Sequence, residues 1–228
     1  MLKLHVIKPS VNSMPARVLV RAAGLEFTEE DAYGKTRTAE FIAKCPAHLA
    51  PFLEDGGSPP VRLWESCAIM QYLCNKHGLT DFYPKDAAER ARTDSAMFYL
   101  TGALYPLAAR AVYPVLGFPL YPGEVGASSA SVAEKESARR AAEAALAEPL
   151  EVFRSWYIGK RKFIGGSSPS IADIRLAATL EFVTVVDKAM PDWAHGYLSR
   201  IEESLGEAYT EPADDVRGFV QLVRKKAS

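Results

Sequence analysis

Cysteine is scarce in this chain: three residues in 228, an odd number with no Cys-x-x-Cys pair. That excludes a disulfide-stapled scaffold and fits a reducing compartment, so the cytoplasm is the expected location. No apolar stretch approaches the roughly 20 residues of a membrane span, and the first residues show no apolar leader core. Neither sign of charge dominates: 27 Lys and Arg stand against 28 Asp and Glu. The resulting net charge of −1 gives no reason to expect nucleic acid or an anionic membrane as a partner. Two basic clusters, Lys160-Arg161-Lys162 and Arg224-Lys225-Lys226, read as solvated helix ends, where cations suit the dipole. The four histidines, at 5, 48, 77 and 195, lack metal-ligand spacing, so no metal is expected. Internal repeats and low-complexity tracts are missing as well.

What is present divides in two. Residues 2–7 alternate around Leu2, Leu4 and Val6, as a strand does. Pro15 suits a first helical position, and Val18, Leu19 and Ala22 form a stripe that ends at Gly24. A second strand over 25–30 and a polar loop over 31–36 lead to a short helix over 38–43. Two apolar runs, 51–54 and 60–63, flank an Asp-Gly turn and read as a hairpin, followed by a helix over 66–77. The order β-α-β-α-β-β-α makes one small α/β domain over 1–78. A linker at 79–86 contains Pro84, and the remaining chain, 87–228, is helical in period throughout. Helices are expected over 87–115, 131–158, 170–188, 192–206 and 214–226, with Pro106 and Pro114 bending or ending the first. Between the first two lies a Gly-, Pro- and Ser-rich loop over 117–130, of a length typical of lids or disordered segments.

Chemistry concentrates at Glu65-Ser66, which opens the helix over 66–77. A helix start gathers unpaired N–H groups and a positive dipole end, and so holds a carboxylate. A glutamate beside it holds an ammonium. The pair is therefore a clamp for the two charged groups of an amino acid.

Three patterns are similar to those of the cytosolic glutathione transferases, over essentially the whole length. Glu65-Ser66-Cys67-Ala68-Ile69-Met70-Gln71-Tyr72-Leu73 resembles the family's acidic-Ser-x-Ala-Ile-x-x-Tyr-Leu segment. Ser170-Ile171-Ala172-Asp173, after Phe163-Ile164-Gly165-Gly166, resembles its buried capping box. Ser13-Met14-Pro15-Ala16-Arg17 is similar to the start of helix 1 in the serine-type theta and delta classes. The resemblance implies a thioredoxin-like βαβαββα domain, a C-terminal helical bundle, glutathione as co-substrate, and a homodimer.

Carried over residue by residue, the resemblance gives Ser13 as the catalytic hydroxyl that donates to the glutathione sulfur, with Ser10 and Asn12 as alternatives in the same loop. It makes the bond before Pro51 cis, with the Ala50 backbone pairing the cysteinyl part, and gives Glu65 and Ser66 the γ-glutamyl end. Cys45-Pro46-Ala47-His48-Leu49-Ala50-Pro51 departs from the family pattern, since Leu49 stands where Lys or Gln often binds the glycine carboxylate. Lys35, Arg37 and His48 are the substitutes in reach. For the electrophile the candidates are Met97, Tyr99, Thr101, Tyr105, Arg110 and Tyr113, of which two or three are expected to touch it. Asp173 and Arg17 are structural in this reading, Arg17 through a buried ion pair. Cys67 and Cys74 are packing groups.

The function implied is a glutathione transferase, in which thiolate attacks a small electrophile. Two alternatives share the fold: a non-catalytic protein-interaction module, and a glutathione-dependent lyase, dehalogenase or isomerase.

Overall fold

The computed structural model describes residues 1–117 and 131–227. The expected loop over 117–130 falls almost wholly outside the described residues.

Four strands form one mixed sheet in the order β2-β1-β3-β4. β1 (Leu2–Val6) runs parallel to β2 (Phe27–Asp31) and antiparallel to β3 (Phe52–Asp55), which forms the hairpin with β4 (Val61–Trp64). Period-two alternation sends Leu2, Leu4 and Val6 into the main core, where α1 (Met14–Ala22) and α3 (Ser66–His77) pack. The other side of the sheet is thinner. His5 stacks there on Phe52 with ring centroids 5.3 Å apart, over α2 (Ala39–Lys44) and its Phe41. Pro15 occupies the first turn of α1, where its missing N–H leaves no bond unmade. α3 ends at Gly78, in the left-handed conformation that closes a helix (φ 64°).

The second half is helical, in the order α4 (Ala87–Tyr99), α5 (Tyr105–Val112), α6 (Val132–Ala145), α7 (Ala147–Val152), α8 (Ile171–Val183), α9 (Asp192–Leu205) and α10 (Glu207–Ala227). Three expected helices differ in detail. The segment over 87–115 is interrupted by a π turn at Leu100–Leu104, and Pro106 follows immediately, inside the first turn of α5. A wider turn ahead of a proline relieves the clash between its ring and the preceding carbonyls. The segment over 131–158 divides into α6, α7 and a π turn at Phe153–Ile158. The last helix begins at Glu207, ahead of the expected 214, and carries Pro212 within it. Tyr209, fully buried, anchors that early turn through a 2.9 Å bond to Glu181, a gain that offsets the donor lost at the proline.

α8 is the axis of this half: all thirteen of its residues are buried. A helix start so deep leaves N–H groups with no water to bond, and Asp173 supplies the acceptors. Its carboxylate receives the N–H and hydroxyl of Ser170 at 2.8 and 2.6 Å, the N–H of Ile164 at 2.6 Å, that of Gly165 at 2.9 Å, and the Tyr197 hydroxyl. Burial pushes the Asp173 carboxyl up, and these bonds pull it back.

A continuous apolar core runs from Leu4, Leu19 and Ile69 into Leu100, Ile174 and Leu180, so the two halves are packed as one body. Polar ties reinforce it. Arg17, 1% exposed, donates to Glu29 at 3.0 Å and meets Asp215 of α10 at 2.9 Å. Gln71 of α3 donates to Asp94 of α4 at 2.6 Å. Among the described residues no helix is long and apolar enough to cross a membrane.

Candidate functional site

Where the sheet half meets the helical half, a cleft of about 380 Å³ is lined by Asn12, Leu49, Ala50, Pro51, Glu65 and Ser66 on one side. Thr101, Tyr105, Tyr113 and Arg175 line the other. The first set comes from the loop before α1, the turn into β3 and the start of α3. The second comes from the π turn, α5 and α8.

The Ala50–Pro51 bond is cis. Glu65 is the N-cap of α3, and its φ of 71° lies in the left-handed region that non-glycine residues avoid. Strain there is of the order of 1–3 kcal/mol and persists only where the surroundings fix it, as ligand sites do. The Glu65 side chain is exposed and makes no cap bond, so the first-turn N–H groups of α3 face the cleft without an intrahelical acceptor. Ser66 is buried at the same turn.

At the other end of the cleft the polar groups are wired together. Asn12 donates from Nδ2 to the Tyr105 hydroxyl at 2.5 Å, and that hydroxyl is 2.9 Å from the Tyr113 hydroxyl. Arg175 donates from Nη2 to Asn12 Oδ1 at 3.0 Å. Ser13 is fully buried and is not part of the lining; its hydroxyl accepts the Ile7 N–H at 3.2 Å. Ser10 likewise turns inward to its own loop, accepting the Asn12 N–H at 3.3 Å.

Of the remaining candidates, Lys35 is exposed and donates to the Asp31 carbonyl at 2.9 Å, away from the lining residues. His48 is half-buried, has φ 46° and does not line the cleft either. Leu49 does. Among the six electrophile candidates, Thr101, Tyr105 and Tyr113 line the cleft. Met97 is core, Tyr99 packs on Phe153 and Tyr157, and Arg110 is half-buried outside the lining. Cys74 is buried and its thiol is pushed up to about 12 by burial. Cys45, also buried, points its sulfur at the Leu49 carbonyl.

Arg175 was not legible as a site residue from sequence. The available signal was a charge inside a helix apolar on every side, two residues after the capping Asp173. Such a residue is seldom fully buried without a purpose.

A thioredoxin-like layer joined to a helical bundle, with a cleft at their junction, defines a two-domain class of protein. The comparisons name it. A family model for the glutathione S-transferase N-terminal domain matches residues 1–75, and one for the glutathione S-transferase C-terminal domain matches 133–203. Glutathione S-transferase 2 of Anopheles gambiae is 31% identical over 164 residues, covering 71% of this chain and 69% of that protein. An unclassified glutathione S-transferase of Bombyx mori superposes with a TM-score of 0.76 at 25% identity, covering 98% of this chain and 97% of its own. A delta-class glutathione transferase of Nilaparvata lugens shares the fold, with a TM-score of 0.72 at 24% identity over 98% of this chain and 100% of its own. The chain belongs to the glutathione S-transferase family.

Proposed function

We propose that this protein conjugates glutathione to a small electrophile, working as a cytosolic homodimer whose glutathione-binding domain spans 1–78 and whose electrophile-binding domain spans 87–228. The observation that carries the reading is the convergence of Ala50, Pro51, Glu65 and Ser66 with Tyr105 and Tyr113 in one cleft. The γ-glutamyl carboxylate sits on the N–H groups that open α3, its ammonium against Glu65, and the cysteinyl part along the Ala50 backbone in the manner of an added strand. With Leu49 where a cation would hold the glycine carboxylate, the Glu65-Ser66 clamp carries most of the affinity.

The cysteinyl thiol, with an ordinary pKa of roughly 8.5, is mostly protonated at neutral pH. A donor at the start of α1, aided by the helix dipole, stabilises the anion. Lowering the pKa by about two units takes only about 2.7 kcal/mol. Resemblance points to Ser13 for this donor. Exposure to the cleft favours Asn12, whose amide faces it, and we assign the role to Asn12. The thiol proton leaves to solvent. The thiolate then forms the C–S bond, and either a leaving group departs with its electron pair or, in an addition, a proton returns to the adjacent carbon.

Retention on immobilised glutathione, together with conjugation of chlorodinitrobenzene, tests the reading, and both are expected. Glu65→Ala and Ser66→Ala should each nearly abolish retention; a mild effect would place the anchor elsewhere. Retention without conjugation would favour the non-catalytic module.

A further inference from the structure

One buried cation at the cleft has no part in the reaction as just described. Arg175 is 3% exposed, yet its hydrogen-bonded partners among the described residues are neutral: Thr179 Oγ1 at 3.1 Å and Asn12 Oδ1 at 3.0 Å. Its guanidinium lies over the Tyr105 ring, 5.0 Å from the centroid, and its Nε is buried with no hydrogen-bond partner. A buried charge without a counter-charge is costly, and a fold retains one where an anion is to be received.

The location narrows the anion. Arg175 joins two places where helix N-termini open onto the cleft: Asn12, just ahead of α1, and Cys67, in the first turn of α3. Burial pushes the Cys67 thiol up, and the Arg175 guanidinium beside it pulls the other way. Two helix N-termini and one guanidinium therefore border the same cleft. The titratable groups facing Arg175 are Cys67 of α3, Glu65 at its N-cap, Tyr105 of α5 and Tyr113 just after it; Glu65 is the acid among them, and its side chain is exposed. The γ-glutamyl carboxylate is already provided for by the N–H groups of α3, and the glycine carboxylate lies toward Leu49. The sulfur has a neutral amide donor and no counter-charge.

We propose that Arg175 supplies the positive charge that holds the sulfur of bound glutathione as the thiolate, and fixes Asn12 through its Oδ1 so that the amide donor end stays at the cleft. The inference rests on the glutathione-binding reading above.

The test follows the ultraviolet absorbance of the thiolate in the glutathione complex against pH, together with the pH profile of kcat/KM for chlorodinitrobenzene, a neutral electrophile. The wild-type protein, R175M and R175K are compared. In R175M the bound thiol should titrate about one to two units higher, as when a neighbouring charge is removed. The acid limb of the profile should move with it, while glutathione affinity changes less than the titration does. R175K should restore most of the shift. Should R175M not fold, R175Q, which keeps a donor to Asn12 without the charge, must show the same rise. An unshifted thiol with weakened glutathione binding would give Arg175 to a peptide carboxylate and overturn the proposal. So would a loss confined to electrophiles that bear a carboxylate, or a wild-type complex whose thiol titrates as in free glutathione. Absence of any glutathione binding to the wild-type protein would instead sink the underlying function.

Discussion

Arg17 of α1 and Asp215 of α10, separated by nearly the whole chain, meet at 2.9 Å with the guanidinium 1% exposed. The same guanidinium donates to Glu29 on β2 at 3.0 Å and to the Lys8 carbonyl at 3.2 Å. One side chain thus holds the loop before α1, the edge of the sheet and the last helix together. Arg17→Met takes the cation from half-buried Asp215 and a donor from the Lys8 carbonyl, while Glu29 keeps Arg21 at 3.1 Å, so a loss of about 1–3 kcal/mol is expected. Urea unfolding measures it, and a change within error would mean that the apolar core alone holds the halves together.

Asp173 presents the sharper folding case. Asp173→Ala strips acceptors from the N–H groups of Ser170, Ile164 and Gly165 and from the Tyr197 hydroxyl, all at the start of a fully buried helix. At about 1–3 kcal/mol for each orphaned group, the sum rivals the stability of a whole domain. Soluble yield and the denaturation midpoint should both collapse. A normally folded but inactive Asp173→Ala protein would move the residue from architecture to chemistry.

The donor to sulfur is decided by comparing two neighbours. Asn12→Ala should lower turnover of chlorodinitrobenzene by about 100- to 1,000-fold, the range lost when a polar donor to a developing anion is removed. It should also exceed the effect of Ser13→Ala. The opposite ordering returns the role to Ser13, whose hydroxyl would then have to leave the Ile7 N–H and turn toward the cleft.

Acid sensitivity is built into the sheet. Burial works to raise the Asp55 carboxyl, but the Lys76 ammonium and the Tyr72 hydroxyl outweigh it and hold the group below its ordinary value. Glu30 is lowered too, chiefly by Lys3. A depressed carboxylate contributes stability that is present above its unfolded pKa of about 4 and is lost as pH falls through its folded value. The melting temperature should therefore drop between roughly pH 5 and pH 3, and Lys76→Met should flatten that slope. An equally steep fall in the variant would assign the acid transition to other groups.

Much of this was written in local pattern. The alternation of Leu2, Leu4 and Val6 marks β1, Pro15 and the stripe that follows it mark α1, and Ser66 to His77 is a helix with the bounds its periodicity predicts. These follow from residue-by-residue propensities, which act over a few neighbours. The π turn before Pro106 and the early start of α10 were not legible, because each depends on distant packing, in the second case on Tyr209 reaching Glu181.

The sequence by itself determined the two-part architecture, the place of Glu65-Ser66 at a helix start and the family, because short motifs with fixed spacing encode helix starts and turns directly. Tertiary structure alone decided which groups share the cleft: it closed Ser13 into the interior, left Lys35 and His48 outside the lining, and brought Arg175 across 163 positions to Asn12. The physical reason is that burial and long-range pairing are properties of the packed core as a whole. A buried charge can be recognised as a site only when the groups around it are known.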